Sequence, residues 1–85
     1  MASKTVIVGS AVGLHARPAA LIAQTAAEYD DEITLQMDGG SPVDAASPMM
    51  IMTLGAERGV EVIVSSENAD ALEAIASLIE RDLSD

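Results

Sequence analysis

Proline occurs three times in the 85 residues, and each occurrence pins an element boundary. It has no N–H to donate and fits a helix only in the first turn, where N–H groups lack an intrahelical partner. Pro18 therefore marks a helix start. Ala19, Ile22, Ala23 and Ala26 follow at i, i+3, i+4 and i+7, the core-facing stripe of an amphipathic helix running to about Ala27. Ser47-Pro48 repeats the signal, with serine as N-cap and proline as the first helical residue; Gly55 is placed to end a short helix over Met49 to Thr53. Pro42 acts differently. It lies in Ser41 to Asp44, which returns from the turn Asp38-Gly39-Gly40, and confines that segment to a sheet edge.

The remaining elements follow from periodicity. Thr5 to Val8 is a β-branched run, and Glu32 to Met37 alternates polar and apolar with Ile33, Leu35 and Met37 toward a core. Tyr29-Asp30-Asp31 reads as a polar turn between the first helix and that strand. Val60 to Ser65 sets Val60, Val62 and Val64 on one face, and Asn68 caps a last helix from about Ala69 to Leu83 with the stripe Leu72, Ile75, Ala76, Ile79 and Leu83. The order β-α-β-β-α-β-α, with short connections and a hairpin, predicts an α+β open-faced sandwich. It has a four-stranded antiparallel sheet with three helices on one face, in a single domain over residues 1–85. Pattern alone leaves a ferredoxin-like arrangement open.

The stretch before the first helix carries the chemistry. Gly13-Leu14-His15-Ala16-Arg17-Pro18-Ala19-Ala20 places the only histidine at or next to a helix N-cap. The N–H groups of Ala16 and Arg17 and the positive end of the helix dipole then face any anion at His15, and Arg17 adds a planar fork of donors suited to phosphate oxygens. Histidine forms covalent intermediates, and phosphoryl transfer asks a protein mainly for positioning and charge stabilisation. These residues suit either a phosphoryl acceptor or a histidine beside a non-covalent anion site.

Leu14-His15-Ala16-Arg17-Pro18-Ala19 resembles the active-site signature of the HPr family, the histidine-containing phosphocarriers of the phosphoenolpyruvate-dependent sugar phosphotransferase system. Length and element order agree with that family along the whole chain. The resemblance implies the HPr fold and a carrier rather than an enzyme: His15 accepts a phosphoryl group from enzyme I and passes it to a sugar-specific enzyme IIA, with Arg17 steadying the group. It also implies one docking face for donor and acceptors, formed by Ala16, Ala20, Pro48, Met49, Met50, Met52 and Thr53. A regulatory or branch carrier, serving a nitrogen-related or dihydroxyacetone kinase system, would share His15. Some members carry a regulatory phosphate at the serine matching Ser47; here Pro48 follows that serine, and an N-cap role accounts for it.

The stretch from Ala45 to Leu54 has no charge and contains Met49, Met50, Ile51 and Met52 in a row. So short a helix cannot bury four consecutive large residues on one side. Some are expected on the surface, and methionine adapts to several partners.

Composition excludes other classes. The chain has no cysteine and one histidine, so no metal site and no cofactor are expected. A single aromatic, Tyr29, and a net charge of −10 argue against nucleic acid. Arg17, His15 and Pro18 interrupt the apolar N-terminal stretch, so neither membrane insertion nor export is expected, and the expected state is a cytoplasmic monomer. Residues 1–27 hold Lys4 and Arg17 and no acid, a balance of +2, whereas residues 28–85 hold all 14 acids against Arg58 and Arg81, a balance of −12. So acidic a surface suits concentrated salt, and a halophilic source is the corresponding expectation.

Overall fold

The structure, a computed structural model, describes residues 2–9 and 13–81; Leu83 of the expected last helix lies outside them. Four strands, β1 (Ala2–Ile7), β2 (Ile33–Met37), β3 (Val43–Asp44) and β4 (Glu61–Ser66), form one sheet in the order β1-β4-β2-β3. Val6 lies opposite Val62, Leu35 opposite both Val64 and Val43, and all three ladders are antiparallel. A ferredoxin-like sheet is also antiparallel but sets β1 and β3 side by side at its centre, whereas here β1 and β3 are the two edge strands.

Alternation along β4 sends Val62, Val64 and Ser66 into the core and leaves Glu61, Ile63 and Ser65 toward the open face. The helices α1 (Ala16–Ala26), α2 (Pro48–Thr53) and α3 (Ala69–Glu80) cover the core side: α3 packs on β1 and β4, α1 on α3 and α2, and α2 on β3. The expected stripes are the buried ones. Ala19, Ile22, Ala23 and Ala26 of α1 meet Leu72, Ile75, Ala76 and Ile79 of α3 in a single cluster with the sheet valines. Two local expectations change. Tyr29 packs partly buried against this cluster, and Met37, at the end of β2, is only half-buried.

Asn68 caps α3 with its Oδ1, which accepts from the N–H groups of Asp70 (3.0 Å) and Ala71 (3.2 Å), while its Nδ2 donates to Asp31 Oδ2 at 2.8 Å. Such a cap contributes about 1 kcal/mol. Here it also ties α3 to the turn after α1. Lys4 pairs with Glu73 on α3 at 3.1 Å, but both side chains are exposed and the pair adds little.

Candidate phosphoryl-transfer site

Helix α1 begins at Ala16, so His15 is its N-cap and Pro18 its third residue. The first intrahelical bond runs from the Ala19 N–H to the His15 carbonyl, 2.8 Å, and Pro18 has no N–H to leave unpaired. Only Ala16 and Arg17 therefore present open backbone donors in the first turn, and no described residue accepts from them. His15 itself is extended (φ −89°, ψ −164°), exposed, and makes no capping hydrogen bond with its side chain. The imidazole stays available for chemistry. No acid sits in the first turn and, among the described residues, no carboxylate forms an ion pair with Arg17, so the positive helix end is not offset locally.

Contacts far away in sequence set the position of this N-terminus. Val8 exchanges backbone bonds with the segment just before β4, accepting from Gly59 N–H at 2.9 Å and donating to the Val60 carbonyl at 3.0 Å. Gly9 then donates to the Ile79 carbonyl of α3 at 3.0 Å. Across the loop, Leu14 is buried and its N–H donates to the Ala56 carbonyl at 2.8 Å. Gly13 holds φ +73°, and a Cβ there would come within 2.5 Å of the Ala56 oxygen and 2.9 Å of Glu57 Cα. The segment from Ala56 to Gly59 is therefore the platform on which the residues before His15 rest. It also brings the backbone of acidic Glu57 beside Gly13, so the charge division along the sequence is not a strict division in space.

Around His15 the exposed side chains of α1 and α2 are, apart from Arg17, largely apolar. Ala16 and Ala20 are exposed on α1. On α2, which packs against α1, Pro48 and Thr53 are exposed, and Met49, Met50 and Met52 are 73%, 43% and 39% exposed, while Ile51 alone is buried. Leu21 adds a further exposed aliphatic side chain, 40% accessible. The sequence reading missed it, although its place off the Ala19–Ile22–Ala23 stripe was the available signal. Ser47 Oγ accepts from the Met50 N–H at 3.3 Å, the expected cap, and Thr53 Oγ1 donates to the Met50 carbonyl at 2.5 Å. A cleft of about 480 Å³ opens at the other end of α1 between Tyr29, Asp31, Pro42 and Asp44, and His15 has no part in it.

Residues 2–81 match the family described as PTS HPr component phosphorylation site. The chain is 43% identical over 82 residues to the phosphocarrier protein HPr of Streptomyces coelicolor, covering 93% of this chain and 88% of that one. It superposes on a crystal structure of HPr from Bacillus anthracis with a TM-score of 0.84 at 38% identity, covering 92% of this chain and 95% of the other. The catabolite repression protein Crh of Bacillus subtilis, whose crystal structure is an intertwined, domain-swapped dimer, is similar at a TM-score of 0.65 and 32% identity over 96% of this chain and 97% of that one. The fold and these likenesses define a carrier of the phosphotransferase system. The chain belongs to the PTS HPr family: it is a phosphocarrier, not an enzyme. That membership sets aside the non-covalent anion site. No helix of the described residues is long and apolar enough to cross a membrane, and among them no cluster of three or more His, Cys, Asp or Glu side chains could hold a metal.

Proposed function

We propose that His15 is the phosphoryl acceptor, that phospho-enzyme I is the donor and a sugar-specific enzyme IIA the acceptor, and that the chain works as a cytoplasmic monomer in sugar uptake. The observation that carries this proposal is the exposed, uncapped imidazole of His15 beside the two open donors of Ala16 and Arg17. In the transfer, a lone pair on one ring nitrogen attacks phosphorus in line with the donor's bond, which breaks as the N–P bond forms. The other ring nitrogen holds the proton. The charge spread over the equatorial oxygens is met by the Ala16 and Arg17 N–H groups and by the Arg17 guanidinium. Onward transfer reverses these roles, with His15 as leaving group. Ala16, Ala20, Pro48, Met49, Met50, Met52 and Thr53, joined by Leu21, form the docking face for both partners. Ser47 serves as an N-cap on this account. The likeness to Crh favours a second reading, a regulatory or branch carrier with the same histidine and different recipients.

A chase experiment separates the two. The chain is charged with labelled phosphoryl from phosphoenolpyruvate and enzyme I of the same source, freed of both, and mixed with a purified enzyme IIA. Loss of the label from the chain within seconds and its appearance on enzyme IIA is the expected result. Label retained by the chain with an active enzyme IIA points to the regulatory role.

A further inference from the structure

Sulfur is distributed unevenly in this chain. It has no cysteine and five methionines, three of them on the six-residue helix α2. The buried cluster is built of valine, leucine, isoleucine and alanine, and among the described residues Met37 is the one methionine that packs against it, from its margin. Met49, Met50 and Met52 are all exposed, whereas Ile51, the buried residue of α2, is a hydrocarbon that oxidants leave alone. The oxidisable groups of α2 therefore face solvent, and the contact that seats the helix is inert.

In a chain without thiols the thioether is the group most open to two-electron oxidation. A peroxide transfers one oxygen to sulfur: the S–O bond forms as the O–O bond breaks, sulfur gives up two electrons, and the peroxide leaves as water. The product is a polar, chiral sulfoxide. On the free chain its oxygen stays hydrated, so the fold is not burdened. Covered by an apolar surface, it loses that water without gaining a donor.

From this placement, and resting on the docking proposal above, we infer that Met49, Met50 and Met52 are a reversible oxidation site through which a peroxide interrupts phosphoryl transfer without unfolding the carrier. A dithiol-dependent sulfoxide reductase reverses the step, the oxygen leaving as water while the two thiols become a disulfide.

The test treats the chain with hydrogen peroxide, removes the oxidant, maps the added oxygen by peptide mass spectrometry and measures KM and kcat with phospho-enzyme I. A variant combining Met49→Leu, Met50→Leu and Met52→Leu, which keeps apolar volume and loses the sulfur, is treated in the same way; it retains Met1 and Met37. Unoxidised Met49→Asp is measured alongside. Oxygen accumulates on Met49, Met50 and Met52 ahead of half-buried Met37. KM of the oxidised chain rises about tenfold with kcat little changed, the pattern of lost binding, and the melting curve is unmoved. Sulfoxide reductase with dithiothreitol restores the starting KM, and peroxide leaves the KM of the triple variant where it began. A KM unmoved by three sulfoxides overturns the inference, as does a rise that the triple variant shows equally. If Met49→Asp raises KM and the sulfoxides do not, the oxidation site alone is lost; if neither raises it, the docking assignment falls as well.

Discussion

Replacing His15 with alanine abolishes phosphoryl uptake while leaving the fold in place. The chain has no second histidine and no cysteine, so no other nitrogen or sulfur nucleophile of comparable reactivity can take over. The substitution is structurally mild because the side chain is exposed and caps nothing. The first turn is closed by the His15 carbonyl, which alanine retains. Stability therefore changes by no more than about 0.5 kcal/mol, the usual range for a surface site. Thermal melting followed by far-ultraviolet circular dichroism checks the fold, and incorporation of label from phosphoenolpyruvate through enzyme I checks the chemistry. Incorporation at background with an unchanged melting curve is the expected pair. Residual incorporation above a few per cent would place the acceptor elsewhere.

Gly13→Ala has a large effect on both stability and transfer. An alanine at φ +73° incurs about 1–2 kcal/mol of backbone strain. Its Cβ would also meet the Ala56 carbonyl at 2.5 Å, and the nearest atoms are backbone, which cannot swing aside. Relief requires the loop to lift from the platform, with loss of the Leu14–Ala56 hydrogen bond and partial exposure of Leu14. The combined cost is about 2–4 kcal/mol, which lowers Tm by on the order of 10–25 °C in a domain of this size. Gly39→Ala is the control, since Gly39 has φ +79° but nothing within 4 Å of its added carbon. Its cost is the backbone strain alone, and the difference between the two melting temperatures isolates the collision at Ala56. Because a displacement of about 1 Å can cost a hundredfold in rate, the folded fraction of Gly13→Ala also transfers more slowly than the unaltered chain at the same temperature. Equal melting temperatures for the two variants would show that the platform does not set the loop.

What could be read from the residues was whatever local chemistry decides. Pro18, Pro48 and Asn68 fixed three helix starts because each acts on its own first turn. The stripe of α1 was legible for the same reason. What escaped depends on distant partners. Ala2, Ser3 and Lys4 have no strong preference for a strand and join β1 because Val64, Ser65 and Ser66 of β4 lie opposite them. Ser41 and Pro42 fall outside β3, where Pro42 has no N–H for the ladder. Ala45 and Ala56 look like loop residues yet are fully buried, Ala45 under its hydrogen bond to the Ile33 carbonyl and Ala56 beneath Leu14. At the site, His15, Arg17 and the uncharged helix could be picked out by residue type. The support that Ala56, Gly59 and Ile79 give to the loop could not, since it is made of backbone contacts between segments far apart in sequence.

The most direct test of the central proposal is intact-protein mass spectrometry of the unaltered chain after incubation with phosphoenolpyruvate and enzyme I from the same source, at matching salt. The account predicts one added phosphoryl group per chain, lost in acid and kept in alkali as expected for a phosphorus–nitrogen bond, and mapping to His15. A folded chain that gains no mass from an active enzyme I, or gains an acid-stable group on a hydroxyl such as that of Ser47, would contradict it.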